Sequence, residues 1–316
     1  MNKQWKKFNA LGSEIIIVAN LREDQASLLD QAERIVIDFE KRFSRFVAES
    51  ELSRFNDFAG GEIELSETMA QLLVAAKDFN LLTGGIFDPT IIGGLEAIGY
   101  NRRFDELNQA AVLRPSANSA QIRQQFFHRP RLDQLSISGN KTIKPAGFRL
   151  DLGGIGKGYI VDFLSHGLFG GIVDCWISAG GDLAVKGSDQ NMTGWKIGVQ
   201  DPHTPEREIF SVWTKGNDCG IATSGIHKRR GGQGDTLWHH LIDPRTGIPV
   251  VNNILAVTVI SPSAEQADVF AKTVLILGES KGLEFIERQD GSAAIIFFND
   301  GGMTFSKQAL NYIKRE

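Results

Sequence analysis

The sequence predicts an α+β protein with largely antiparallel sheets and a few amphipathic helices set between them. Three observations predict it. Short β-branched and aromatic runs follow one another through the second half of the chain with only short turns between them, which suits antiparallel pairing. Helical periodicity is confined to a few segments, each with its own start and stop signals. Glycine is abundant, at 34 of 316 residues, and much of it stands in doublets that mark tight turns or close backbone approaches. A chain of this length can bury a large core, either in one domain with two lobes or in two domains.

The elements follow in order. Residues 13–19, an isoleucine-rich run, read as a buried strand. A helix is predicted from Asp24 to Phe46, because Leu28, Leu29, Ala32, Ile35, Val36, Phe39 and Phe43 fall on one face. Ser66 caps a second helix that turns Leu72, Leu73, Ala76 and Phe79 inward and stops at Thr83-Gly84-Gly85. Residues 101–130 are polar and irregular and read as a connection with one short helix. A hairpin over 135–143 turns at Gly139-Asn140. Residues 159–169 read as a helix, and strands are expected over 172–178, 183–186, 195–199, 209–213 and 255–261. Ser263-Ala264-Glu265-Gln266 is a capping-box pattern that opens a helix running through Leu277 to Gly278. Residues 293–298 and 303–306 form a closing hairpin.

Composition excludes several classes. Hydrophobic residues make up 42% and charged residues 23%, ordinary for a soluble globular protein. The net charge of −4 comes with no polybasic tract, so nucleic acid is not expected as the main partner. Cys175 and Cys219 have no short spacing between them and are expected as buried reduced thiols. The N-terminus carries lysines but no apolar signal core, and no run reaches transmembrane length. The expectation is a cytoplasmic protein without a membrane anchor.

The densest chemistry lies at Asp151-Leu152-Gly153-Gly154-Ile155-Gly156-Lys157-Gly158. A glycine turn feeding a helix offers backbone N–H groups and a partial positive charge to an anion, and Lys157 adds a full charge. A phosphate or diphosphate is the natural ligand. Walker A is excluded, since Gly158 follows Lys157 where Ser or Thr would hold Mg²⁺, and the Gly154, Gly156, Gly158 spacing is not the dinucleotide fingerprint. The same segment is equally compatible with a turn that merely lets a helix pack close to a strand. Further polar turns occur at Gly84-Gly85-Ile86-Phe87-Asp88-Pro89-Thr90, Ser178-Ala179-Gly180-Gly181-Asp182, Ala222-Thr223-Ser224-Gly225 and His239-His240-Leu241-Ile242-Asp243-Pro244-Arg245-Thr246-Gly247, with Ala267-Asp268 in the first turns of the capped helix.

Taken in this order, and with Glu51-Leu52-Ser53-Arg54-Phe55-Asn56 before them, these segments resemble the ApbE family of FAD:protein FMN transferases over nearly the whole chain. The resemblance implies a single flavin transferase domain over residues 1–316, two-lobed, with FAD held between the lobes. It implies cleavage of the FAD diphosphate with Mg²⁺, passage of FMN to a threonine of an acceptor flavoprotein, and release of AMP. By position it implies that Leu11, Gly85, Ile86, Phe87, Asp151, Lys157 and Ile242 bind FAD. It likewise implies that Gly154 offers its carbonyl and Asp268 its carboxylate to the metal. His240 becomes the base, with His239 the weaker candidate.

One departure bears on the metal. The resembled pattern has Thr four residues after the aspartate, whereas this chain has Lys272 there and Thr273 one residue late, about 100° further round a helix. A lysine beside that carboxylate repels a metal and can stand in for it, so the Mg²⁺ expectation is the one this chain puts in question. The family's lipoprotein leader is not seen here, which suits an intracellular acceptor. FAD hydrolysis to FMN and AMP, or FAD binding without catalysis, remain as alternatives.

Overall fold

The computed structural model describes residues 2–100, 124, 126–189, 192–226, 230–233 and 236–313. Residues 101–123 and 125, most of the connection expected over 101–130, lie outside the described residues. The chain divides into two compact units: Met1–Asp38, Lys157–His227 and Asn252–Glu316 make the first, and Phe39–Gly156 with Lys228–Val251 the second.

The first unit is built on an eight-stranded sheet. Its order is Asn2–Ala10, Ser13–Leu21, Cys175–Ala179, Asp182–Lys186, Cys219–Gly225, Ile254–Ser261, Ala293–Phe298 and Met303–Phe305, and each neighbouring pair is antiparallel. Ile254–Ser261 is buried at every position, as its continuous apolar sequence requires of a strand covered on both faces. Ala256 and Ile260 face a cluster with Trp195, Val199 and Val212, much of it supplied by the hairpin Lys196–Gln200 and Glu208–Trp213. The other side carries the helix Ala264–Leu277, which packs on Cys219–Gly225 and Ile254–Ser261.

Most expected elements of this unit are present, with shifted ends. The helix expected from Asp24 begins at Ser27, after a tight turn over Glu23–Gln25 in which the Gln25 side chain accepts from the Arg22 N–H at 3.0 Å, and it ends at Phe43 rather than Phe46. The strand expected from Ile172 begins at Cys175, because residues 172–174 serve a turn: Ile172 N–H donates to Phe169, and the Asp174 carboxylate accepts from Ser188 N–H. The helix expected over 159–169 runs instead from Gly156 to Phe163 and widens into a π-turn over Leu164–Leu168. The buried Lys186 ammonium caps that widened end, donating to the carbonyls of Ser165 and Phe169 at 3.3 and 3.1 Å.

Two elements of this unit have no clear sequence signal. Asn2–Ala10 is an edge strand rich in lysine, half exposed along its length, so it carries no apolar run. Glu279–Glu287 is a short helix that begins where Gly278, at φ 83°, ends the one before. Both cysteines are buried and free, as expected.

The second unit is mixed. Helix Glu67–Leu82, capped by Ser66, accompanies a three-stranded sheet of Gly61–Glu64, Lys141–Lys144 and Ser136–Ser138, the last two forming the expected hairpin. The segment Glu51-Leu52-Ser53-Arg54-Phe55-Asn56 proves to be a helix, Glu51–Asp57, and its polar residues are structural. Ser50 caps it, and Ser53 donates to the Val47 carbonyl. Asn56 makes a reciprocal pair with Leu150: its Nδ2 donates to the Leu150 carbonyl, and its Oδ1 accepts the Leu150 N–H, both at 2.9 Å. That pair fixes the backbone next to Asp151.

Asn56→Ala leaves both buried Leu150 groups without partners. The expected loss of stability is about 2–4 kcal/mol, read by urea unfolding of the native and variant proteins.

Candidate functional site

In the second unit, Asp151 sits between an asparagine-held backbone segment and a turn. Its Oδ1 accepts the Gly153 N–H at 2.8 Å, and its Oδ2 meets the Arg45 guanidinium at 2.5 Å. Arg45 is itself held by the Tyr100 carbonyl and lies over the rings of Phe46 and Tyr100. Gly154 follows in the turn, half-buried. Arg45 gave no local signal in the sequence, since nothing near it in the chain announces a partner more than a hundred residues on.

The Gly84–Thr90 turn is knitted internally. Gly84 and Gly85 hold φ of 60° and 80°, and a Cβ at either would meet open space, so the backbone conformation is what demands glycine there. Thr83 Oγ1 accepts the Phe87 N–H, and Asn80 Nδ2 donates to the Phe87 carbonyl at 2.7 Å. Ile86 and Phe87 are buried. Asp88 accepts from Thr90 N–H and Oγ1 through Oδ1, while Arg129 pairs with Asp88 Oδ2 at 2.7 Å and donates to Thr90 Oγ1. This carboxylate and this hydroxyl, which read in the sequence as chemistry, hold the loop instead.

The two histidines separate cleanly. His239 is buried; its Nδ1 accepts the Leu241 N–H, so Nε2 carries the proton and donates to the Val250 carbonyl at 2.9 Å. Burial pushes its pKa down. Both ring nitrogens thus serve the backbone. His240 is half-buried and lies 6.5 Å from the Tyr100 ring, centroid to centroid. Asp243 is taken by Arg245, at 2.9 and 2.7 Å, and its carbonyl closes the turn onto Thr246 and Gly247. Ile242 is buried with Leu95 and Tyr100.

The first unit holds a buried charge cluster. The hairpin between Cys175–Ala179 and Asp182–Lys186 turns through Gly180 and Gly181, both at positive φ, and delivers Asp182 into the interior. The Lys157 ammonium pairs with Asp182. Asp268 is equally buried, and the Lys272 ammonium one helical turn on pairs with its Oδ1. Asp268 Oδ2 is buried and accepts no hydrogen bond. Burial pushes the Asp182 carboxyl up and the charge of Asp268 adds to the push, while Lys157 and Lys272 oppose it. Thr273, one residue late, turns back onto its own helix and donates to the Val269 carbonyl at 2.9 Å. Leu11, the remaining candidate contact, stands at a hairpin tip at φ 57°, a left-handed conformation that costs a leucine about 1–3 kcal/mol.

The Mg²⁺ that the resemblance implies does not fit Asp268 as its surroundings stand. Mg²⁺ demands a near-octahedral set of oxygens. Here one carboxylate oxygen already carries an ammonium, and among the described residues no group of three or more His, Cys, Asp or Glu is arranged to hold a metal. A divalent ion about 4 Å from that ammonium costs roughly 8 kcal/mol at an effective dielectric near 20. It enters only if Lys272 leaves.

Glycine has a packing reason at Lys157's neighbour. A Cβ on Gly158 would stand 2.4 Å from the Glu265 Cα and 2.7 Å from the Ala264 carbonyl oxygen. The helix Gly156–Phe163 therefore abuts the first turn of Ala264–Leu277. Asp162, on the same helix, accepts the N–H groups of Ala264 and Glu265 at 3.0 and 2.8 Å. The part of the glycine motif beyond Lys157 thus serves the close packing that the sequence left open as an alternative.

This arrangement of antiparallel sheets and helices is a fold seen in solved structures. The ApbE family model matches residues 11–297, and the chain belongs to that family. The FAD:protein FMN transferase of Vibrio cholerae is 28% identical over 284 residues, covering 88% of this chain and 82% of that protein. Its counterpart in Haemophilus influenzae is 27% identical over 283 residues, covering 86% and 79%. The crystal structure of the ApbE protein from Thermotoga maritima matches with a TM-score of 0.84 at 23% identity, over 99% of this chain and 100% of that one.

Glu265 gives the cluster a pH signature. Burial, then the charges of Asp162 and Asp268, push its carboxyl from 4.5 up to about 8. Between those values the unfolded chain has lost a proton that the folded chain keeps, so this group lowers stability as pH rises through the window. Glu265→Gln is expected to flatten that fall and to gain on the order of 1–3 kcal/mol near neutral pH, measured by urea unfolding across the range.

Proposed function

We propose that this chain is a flavin transferase that takes FMN from FAD and joins it, through the FMN phosphate, to a threonine hydroxyl of an acceptor flavoprotein, releasing AMP. The observation that carries this reading is the match to proteins named FAD:protein FMN transferase over 88% of the chain, together with a family match over residues 11–297 that takes in the motifs described above. Among the described residues no helix is long and apolar enough to cross a membrane.

The chemistry asks for a base at the acceptor and positive charge at the diphosphate. His240 is the imidazole for the first task, because His239 is spent on the backbone. It accepts the threonine proton as the oxygen attacks the FMN phosphorus. The new O–P bond forms, the P–O bond to AMP breaks, and AMP leaves with the electron pair. Charge builds on that leaving oxygen, and a fixed cation stabilises it. Lys157 is suited to this, since the pairing with Asp182 holds its ammonium in place while a fifth of the side chain stays exposed. Gly85, Ile86, Phe87, Ile242 and Leu11 are the apolar contacts proposed for the flavin, and Asp151, oriented by Arg45, a polar one.

His240→Ala is expected to slow FMN transfer by about 10²–10⁴-fold while FAD binding persists. Mass spectrometry of a threonine-bearing acceptor reads the attached FMN, and flavin fluorescence reads the binding. Transfer at the native rate by the variant removes His240 from the role. Release of FMN and AMP with no acceptor present, as fast as transfer, replaces the transferase reading with FAD hydrolysis.

A further inference from the structure

We infer that Lys272 is a tethered cation of the Asp182–Asp268 pair and that this chain handles the diphosphate of its flavin donor without a divalent ion. The inference rests on the flavin-transferase reading for the identity of the donor, but its charge argument does not. Asp182 and Asp268 are both buried, and the charge of Asp268 acts on Asp182. Two such carboxylates alone would attract a divalent cation strongly. Lys157 on Asp182 and Lys272 on Asp268 cancel them one for one. Both lysines keep part of their side chains exposed, 19% and 15%, whereas the carboxylates are almost wholly enclosed. What the cluster shows to the surface is therefore lysine side chain and not carboxylate.

Helix geometry makes this a built arrangement. Positions 268 and 272 are one turn apart and share a face, and an acid followed four residues on by a lysine is the favourable orientation for such a pair. The start of the helix that carries both residues is itself held by Asp162, which accepts the N–H groups of Ala264 and Glu265. Lysine also has the right chemistry: a compact point charge with several donors, able to hold one carboxylate oxygen and a phosphate oxygen together. It differs from a metal in leaving Asp268 Oδ2 uncommitted.

Two measurements on the intact protein test this. Mn²⁺ binding read by electron paramagnetic resonance needs neither FAD nor acceptor. Native protein is expected to leave Mn²⁺ free, and Lys272→Thr to tighten Mn²⁺ binding at least about tenfold, with Lys272→Met as a second variant should the first fold poorly. FAD affinity by fluorescence titration is expected to change by less than about twofold between chelator and Mg²⁺ for the native protein, and to become Mg²⁺-dependent in the variant. Tight Mn²⁺ binding by the native protein that Asp268→Asn abolishes overturns the inference, as does a lysine variant that gains no Mn²⁺ affinity. Failure of FMN transfer in every metal condition would instead strike the flavin-transferase reading, while the Mn²⁺ result still decides the role of Lys272.

Discussion

The contact between two helix starts in the first unit governs where its chemistry stands. The helix Gly156–Phe163 lies so close to the first turn of Ala264–Leu277 that only glycine fits at 158. Gly220 repeats the constraint from the sheet, where a Cβ would meet the Ser263 carbonyl carbon at 2.0 Å. Asp162 then satisfies two of the N–H groups that every helix start leaves unpaired. Burying that carboxylate raises its pKa, and the hydrogen bonds it accepts oppose the shift. The clasp fixes two residues at once: Lys157 one step before the glycine, and Asp268 on the clasped helix.

From that contact the charge arrangement follows. Lys157 reaches Asp182, and Lys272 reaches Asp268, across short fixed distances set by the sheet and the helix. Enclosed ion pairs contribute little net stability, because desolvation offsets attraction. Their effect here is positional, since each holds a lysine side chain against a buried carboxylate. Glu265 shows the cost of crowding acids at one helix start, with a carboxyl held protonated to about pH 8.

Much of this was legible in the sequence, and the rest was hidden for physical reasons. Helix Ala264–Leu277 announced itself through Ser263 and Gly278, because caps are local chemistry. The antiparallel sheet followed from runs and turns, but the strand Asn2–Ala10 did not, since this edge strand is largely polar and has no continuous apolar run. Lys272 stood out because the resembled pattern has Thr at that position, and because a helix places it on one face with Asp268. The partners of Asp88 and Asp151 were not legible: Arg129 and Arg45 lie far away in sequence, and ion pairs of that kind leave no local trace. Nor could the sequence tell a glycine that binds an anion from one that admits a helix, and Gly158 proves to be the second kind.

The Gly158 clasp sets the position from which Lys157 is proposed to meet FAD. A double-mutant cycle on FAD affinity, with Gly158→Ala, Lys157→Ala and the double variant titrated by flavin fluorescence, tests it most directly. If the clasp works through Lys157, each single variant weakens FAD and the double is no weaker than Lys157→Ala alone. Fully additive losses would contradict the account, because they would mean that the helix contact and the lysine serve FAD independently.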